Sequence, residues 1–571
     1  MKILIQIFLI LGIASCQSKG LIDSDPGLSA GESEVKLILI LVVDQLRGDY
    51  LDRFGPVLEG GLSWLTKNAI WFEDAHQDHG ITSTGPGHAS ISTGTYPSRS
   101  GIISNQWFDK RTGIIEYCVS DENSPLIGVS PGIGRSPVNL EVTAFPDWLK
   151  DKWPSSKAFT ASYKDRAAIL LGGERAKGAY WYSPSNGSFV TSTYYQENYP
   201  NWVEDFAARR LPDQFFGKLW EALAVPERTK ETLQIKDSDR GWYETAFPHA
   251  IGGFSSILDE SFYAGFAATP LIDWYLVEFA KKLIEEESLG RGVAPDYLGL
   301  SFSALDLVGH QFGPNSPEVL DTIMRLDVSI QELLDFIDQA IGLERVVIVL
   351  TGDHGVAQLP EIVSAGGGQG RRVNAQDQVC IQNSNSRISK RLGYAGEWFS
   401  RDYYLNDVMI RNTGLSSEEV NRVAAEILGE CDFLTRVWTR EELLQDGTDP
   451  WQRVFSNSFH KERSPDLIPQ LKENYIISSG LGTAHGSPYR YDSHVPVLSV
   501  VPGVRAMRVK ERIPTIDIAP TLADLVRVEI PPHVQGKSLI EFFESQGSLA
   551  SGDSVREESL RIIPGRSETG Q

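Results

Sequence analysis

Apolar and polar positions fall into two alternating patterns along this chain. Leu37–Val43, Leu298–Ser303, Val346–Leu350 and Val495–Val501 are nearly continuous apolar runs, rich in β-branched residues and too short for ordinary helices. Such runs read as strands buried on both faces of a parallel sheet. Between them lie stretches such as Leu320 to Ile341, where apolar residues return every three or four positions, the period of an amphipathic helix. The alternation predicts an α/β fold, a mostly parallel sheet sandwiched by helices. Two regions interrupt it. Residues 108–265 are dense in Trp, Tyr, Pro and Gly, and residues 356–477 contain Gly366-Gly367-Gly368 and a helical stretch at Ser416–Leu428. Both are expected to be cap-like insertions into one domain spanning residues 35–544. Residues 545–571 are polar, charged and aperiodic, the composition of a disordered tail.

The N-terminus follows its own pattern. Met1-Lys2 is a short basic start, Ile3 to Ile13 an apolar run too short to span a bilayer, and Ile13-Ala14-Ser15-Cys16 ends it. That ending resembles a bacterial lipobox, so residues 1–16 are expected to be a lipoprotein signal peptide with Cys16 carrying the lipid. An ordinary secretory signal with an incidental cysteine is the alternative. Residues 17–34 are polar and rich in Gly, Ser and Asp, which suits a flexible tether. Gln17 is no Asp retention signal, so the resemblance implies export to the periplasm or the outer membrane, with the lipid as the only membrane contact.

Composition narrows the classes further. Hydrophobic content of 41% and charged content of 22% are those of an ordinary globular chain. A net charge of -22 disfavours nucleic acid and anionic membrane surfaces as partners. It also means that binding an anion requires local positive charge, from metal ions or from clustered Lys and Arg. Beyond Cys16 only Cys118, Cys380 and Cys431 remain, so at least one thiol stays unpaired and at most one disulfide forms.

Candidate chemistry sits where the apolar runs end. The first run ends in Asp44, and the run at 346–350 is soon followed by Asp353-His354. Open α/β sheets bind ligands at the carboxyl ends of their strands. After Tyr297-Leu298-Gly299-Leu300, Asp306 and His310 stand four residues apart and share a face if a helical turn follows. These five side chains are oxygen and nitrogen donors of the kind zinc accepts, which points to a dinuclear metal hydrolase. The segment Thr82 to Ser90 opens a helix, with Gly85-Pro86 at the turn. A hydroxyl at Thr84 would stand beside helix N–H groups that favour an anion, and a zinc ion there would make it a nucleophile. His76, His79, His249, His460, His494 and His533 are read as satisfied structural histidines, and His88 as packing behind Thr84.

In chain order the motifs are Val43-Asp44-Gln45, Thr84-Gly85-Pro86-Gly87-His88, Gly101-Ile102-Ile103-Ser104-Asn105-Gln106-Trp107 and Lys164-Asp165-Arg166. They continue with Asp306-Leu307-Val308-Gly309-His310, Gly352-Asp353-His354-Gly355 and Thr483-Ala484-His485-Gly486-Ser487-Pro488. This series resembles the alkaline phosphatase superfamily, most closely its phosphate-irrepressible periplasmic monoesterases, and the resemblance runs from Val35 to about Phe542. It implies an alkaline-phosphatase-like fold with cap or crown insertions, and two zinc ions per chain. One ion would be held by Asp306, His310 and His485, the other by Asp44, Asp353, His354 and the Thr84 oxygen. No dedicated third metal is implied, because Lys164 supplies positive charge there. By the same resemblance Thr84 attacks phosphorus and forms a phosphothreonine, while Lys164, Arg166 and Asn105 hold the non-bridging oxygens. The net positive charge of two zinc ions, three carboxylates, Lys164 and Arg166 would balance a phosphate dianion plus a Thr84 alkoxide.

Diesterases of the superfamily lack the Lys/Arg pair, so the resemblance implies a zinc-dependent alkaline phosphatase acting on small-molecule phosphate monoesters. The sequence does not reveal the oligomeric state, and a monomer is the favoured expectation. A nucleotide pyrophosphatase/phosphodiesterase using the same metals and Thr84 is the runner-up. A non-catalytic glycan-binding lipoprotein, suggested by Tyr180-Trp181-Tyr182 and Tyr194-Tyr195, is a third reading. Two partial motifs lead nowhere. Thr95-Tyr96-Pro97-Ser98-Arg99 resembles a sulfatase signature but lacks the Cys or Ser that signature needs at Thr95. Gly536-Lys537-Ser538 matches only the tail of a P-loop, since Pro531 stands where its first Gly would be.

Overall fold

Strand β1 (Leu37–Val43) is buried over its whole length and shows why the fold has three layers. Leu37, Leu39, Leu41 and Val43 enter one hydrophobic core, while Ile38, Ile40 and Val42 enter another, because successive strand side chains leave opposite faces. The structure, a computed structural model, describes residues 34–128, 134–235, 246–253, 255–478 and 480–547.

Eight further strands complete the central sheet: β2 (Ile70–His76), β3 (Ala158–Ser162), β4 (Gly178–Ser183), β5 (Ser188–Val190), β6 (Asp296–Phe302), β7 (Val346–Thr351), β8 (His494–Val500) and β9 (Met507–Pro514). Their order is β9-β2-β8-β7-β1-β6-β3-β4-β5. The stretch β7-β1-β6-β3-β4 is parallel throughout. Strands β8 and β5 run against their neighbours, and β9 parallels β2. The sheet is therefore mostly parallel, as the apolar runs predict, with the run at 495–501 supplying an antiparallel member.

The helices that matter for the site are α1 (Thr84–Thr93), α2 (Asp165–Gly172), α3 (Leu271–Glu286), α4 (Ala304–Phe312), α5 (Pro317–Ala340) and α6 (Ile518–Leu525). Helices α3, α4 and α5 bury Leu276, Leu305, Val308, Leu326 and Leu333 in the first core. Ile518 and Leu522 of α6 cover the second, with Phe145 and Trp148. Helix α5 starts a turn earlier than its apolar period predicts, because Ser316 Oγ accepts from Val319 N at 3.2 Å and Pro317 occupies the first helical position.

The two expected insertions differ. Residues 158–190 lie inside the first, yet they supply β3, β4 and β5 and extend the sheet through α2. The sequences Ala158-Phe159-Thr160-Ala161-Ser162 and Gly178-Ala179-Tyr180-Trp181-Tyr182-Ser183 are buried without being apolar runs, so hydropathy alone does not mark them. The second region does build a core of its own, from Val373, Ile388, Trp398, Val420, Leu428 and Leu434. Cys380 and Cys431 are joined there by a disulfide, and Cys118 is free and buried. No helix among the described residues is long and apolar enough to cross a membrane. The expected signal peptide with Cys16 and all but the last residue of the tether lie outside the described residues, as do residues 548–571. Of the expected tail, Ser545–Gly547 close the helix Ile540–Gly547.

Candidate active site

Strands β7, β1 and β6 are adjacent, in a register that pairs Val43 with Phe302 and Val42 with Thr351. Asp44, Asp353-His354 and the start of α4 therefore leave the sheet at one edge, at the carboxyl ends of parallel strands. Gln45 turns there with φ 70°. Its backbone N–H donates to Asp353 Oδ1 at 3.1 Å and its side-chain Nε2 to Asp306 Oδ1 at 2.8 Å, tying the three loops together. Asp273 of α3 accepts from the backbone N–H groups of Ser303 and Ala304 at 3.0 and 3.2 Å. It thereby caps α4 from another helix and fixes the first turn that carries Asp306. His310 follows one turn later on the same face.

The three imidazoles are oriented alike. His310 Nδ1 donates to Thr483 O at 2.9 Å, His354 Nδ1 to Gly355 O at 3.0 Å and His485 Nδ1 to Thr82 O at 2.8 Å. A carbonyl only accepts, so each Nδ1 carries a proton, and in the neutral ring Nε2 is the atom left to face a metal. His310 Nε2 and His485 Nε2 lie 3.1 and 3.7 Å from Asp306 Oδ1. His354 Nε2 lies 3.4 Å from both Asp44 Oδ1 and Asp353 Oδ2. Donors sharing a tetrahedral zinc at about 2 Å stand roughly 3.3 Å apart, so these groups could share a metal ion. Asp306, His310 and His485 have donor atoms within 4.8 Å of one another, and so do Asp44, Asp306 and His354. Asp306 therefore stands between the two groups. The His354 and His485 rings stack at 3.6 Å between centroids and form the shared wall.

Charge supports a cation here. Burial, then the neighbouring Asp306 and Asp353, push the Asp44 carboxyl well above the usual carboxylate range. Burial, then His354 and His310, hold His485 well below the usual imidazole range, in the neutral form that ligates metals. Asp44 Oδ1 and His354 Nε2 are buried without a hydrogen-bond partner, a cost that a bound cation would remove. The donor set could hold a metal cation.

Thr84 is the first residue of α1, a helix buried along its whole length. Its Oγ1 lies 3.3 Å from Lys164 Nζ and 3.3 Å from Arg166 Nη2. Lys164 Nζ also stands 2.5 Å from Asp44 Oδ2 and 2.6 Å from Asp306 Oδ2. Asn105 Oδ1 accepts from Gly85 N at 2.8 Å, which fixes the side chain beside the start of α1. A Cβ at Gly87 would lie 2.4 Å from Asp353 O, so glycine is what lets α1 rest against the Asp353-His354 turn. His88 bonds Thr84 O at 2.8 Å and Ser301 Oγ at 2.9 Å and packs behind Thr84 as expected.

The remaining histidines bond to protein groups. His76 pairs with Asp74, His79 with Gln77, His249 with Glu318, His460 with Glu141, and His494 and His533 with backbone carbonyls. Asp74, His76 and His494 also cluster within 4.8 Å, but Arg490 Nη1 lies 2.8 Å from Asp74 Oδ1 and 3.2 Å from His76 Nε2 and supplies the cation itself. Gln45 and Asp273 carry no role in the sequence reading: Gln45 stands inside the Val43-Asp44-Gln45 motif, and no local pattern singles out Asp273.

The type I phosphodiesterase / nucleotide pyrophosphatase family model matches residues 38–494. Alkaline phosphatase PhoV of Synechococcus elongatus is 33% identical over 526 residues, 89% of this chain and 93% of its own length. A protein of Myroides odoratus named calcium-transporting ATPase is 31% identical over 525 residues, 89% of this chain and 95% of its own. The crystal structure of wild-type alkaline phosphatase PafA has a TM-score of 0.81 at 28% identity, covering 89% of this chain and 99% of that one.

Proposed function

This chain belongs to the type I phosphodiesterase / nucleotide pyrophosphatase family, and we propose that within it the chain is a zinc-dependent alkaline phosphatase that cleaves phosphate monoesters through Thr84. The observation that carries this reading is the pair of cationic donors, Lys164 Nζ and Arg166 Nη2, each 3.3 Å from Thr84 Oγ1. A monoester dianion brings one more charged oxygen to that place than a diester does, and two cations there suit it. Similarity to proteins named alkaline phosphatases supports the same conclusion.

Two zinc ions, one on Asp306, His310 and His485 and one on Asp44, Asp353, His354 and Thr84, would supply Lewis-acid stabilisation of the attacking and leaving oxygens. Thr84 Oγ1 attacks phosphorus, the bond to the alcohol oxygen breaks, and a phosphothreonine results. Water then attacks that phosphorus, releases phosphate and restores Thr84. Lys164, Arg166 and Asn105 Nδ2 hold the non-bridging oxygens throughout. Because such transition states are loose, positioning and charge do most of the work. Residues 1–34 and the Cys380–Cys431 disulfide favour an exported lipoprotein, for which palmitate labelling that disappears in Cys16→Ala is the check.

The test of specificity is kcat/KM for an aryl phosphate and its methyl ester, in the parent and in the Lys164→Ala/Arg166→Ala double variant. Each charge-assisted contact stabilises by about 1.5–3 kcal/mol, so the monoester-to-diester preference should fall by on the order of a hundredfold or more. Equal losses on both substrates would sink this reading and favour the phosphodiesterase. Metal analysis of active protein should find two zinc ions per chain, and one or fewer would overturn the dinuclear assignment.

A further inference from the structure

Arg166 is held by a chain of residues that the proposed chemistry does not use. Its Nη1 donates to the Tyr117 hydroxyl at 3.2 Å, and that hydroxyl donates to Asp165 Oδ1 at 2.5 Å. A carboxylate only accepts, so the Tyr117 proton faces Asp165 and a hydroxyl lone pair faces Arg166. Asp165 Oδ2 in turn accepts from Arg135 Nε at 2.6 Å, and the Arg135 guanidinium lies over the Tyr117 ring, 4.9 Å from its centroid. Burial, then Asp165, push the Tyr117 hydroxyl far above the usual phenol range, so it stays protonated.

The other edge of the Arg166 guanidinium is differently engaged. Nη2 reaches Thr84 Oγ1 at 3.3 Å, and Nε, on the same side as Nη2, is buried with no hydrogen-bond partner. A guanidinium offers two parallel N–H bonds along such an edge, matched to a phosphate. We propose that Tyr117 is a positioning residue that selects this edge: by occupying Nη1 it turns the Nε/Nη2 pair toward Thr84 as the two-donor seat for a phosphoryl group. The hairpin that carries Tyr117 also carries Asn105, since Gln106 pairs with Tyr117 and Cys118 N donates to Asn105 O at 3.0 Å. One local unit thus sets two of the phosphate contacts together.

This inference rests on the role proposed above for Arg166, and the experiment separates the two. Kinetics of the parent, Tyr117→Phe, Arg166→Ala and the double variant are compared on an aryl phosphate and its methyl ester, with inhibition by inorganic phosphate and zinc content measured alongside. Tyr117→Phe should lower monoester kcat/KM by about tenfold, the lower end for one charge-assisted hydrogen bond. Phosphate inhibition should weaken by a similar factor, and the diester should lose less than about threefold. In the Arg166→Ala background Tyr117→Phe should cost nothing more. Should Tyr117→Phe melt lower than the parent, Asp165→Asn gives the same test, because its amide can turn a donor toward the hydroxyl and reverse that proton; the same selective loss is expected. Full monoester activity in Arg166→Ala would overturn the role of Arg166. Damage in Arg166→Ala with parental activity in Tyr117→Phe, or additive losses in the double variant, would overturn edge selection alone.

Discussion

Lys164 stands where the metal-free site most needs a cation, and removing its charge should separate the stability of the two metal states. Its side chain is 7% exposed, between the Asp44 and Asp306 carboxylates at 2.5 and 2.6 Å, which are themselves 0% and 4% exposed. Lys164→Met keeps the length and apolar stem but leaves both carboxylates buried without that partner. Breaking a buried ion pair from one side costs about 3–5 kcal/mol. Asp44 is already held above the usual carboxylate range, so it can relieve part of this by taking a proton, which favours about 3 kcal/mol. With two divalent ions in place the carboxylates are neutralised by metal, and the penalty should fall to about 1 kcal/mol. Urea unfolding near neutral pH, followed by the fluorescence of the 13 tryptophans, measures both cases after chelation and after zinc addition. The expected result is a parent-to-variant gap larger by about 2 kcal/mol in the metal-free pair. Equal gaps in the two states, or no gap without metal, would refute the idea that Lys164 stands in for positive charge at a metal centre.

Thr84→Ala should fold and bind zinc normally but lose most turnover, with Thr84→Ser keeping appreciable activity; near-parental rates in Thr84→Ala would move the nucleophile elsewhere. Gly87→Ala forces a Cβ to 2.4 Å from Asp353 O, an overpacking cost of about 1–3 kcal/mol, and should weaken zinc binding as it shifts the turn; unchanged melting and zinc affinity would contradict the close approach. Asp273 is pushed up to about 7 by burial, although Ala304 and Ser303 N–H groups oppose this. Its native form therefore holds a proton more tightly than the unfolded chain does at about 3.9, so this stability is full below about pH 4 and lost as pH rises through about 7. Asp273→Asn should flatten the pH dependence of the unfolding midpoint across that window, and parallel parent and variant curves would show that Asp273 does not titrate there.

Much of the fold and of the site was legible in one dimension. Leu37–Val43 is a strand at the residues its apolar run predicts, and Asp44 follows because a buried run of that length must end at the sheet edge. Asp306 and His310 share a helical face because four residues make one turn. Asp353-His354 sit in the turn after β7 for the same reason as Asp44. These features depend on near neighbours along the chain, and periodicity records them. What decides burial without an apolar run is different. Strands β3 and β4 are made of Ala, Thr, Ser, Gly and aromatic residues, and only their neighbours in the sheet make them strands. The pairing of Cys380 with Cys431, the cap that Asp273 places on α4, and the grip of Tyr117 and Asp165 on Arg166 join atoms 51, 30 and 48 residues apart. Arg490 meets Asp74 and His76 from more than 400 positions away in the chain and so closes their cluster with His494 against a metal. Residue types and spacing determined which chemistry this protein could carry. Packing of distant segments decided which donor meets which acceptor, because hydrogen bonds and ion pairs act over a few ångströms of space and carry no signature in the sequence between their partners.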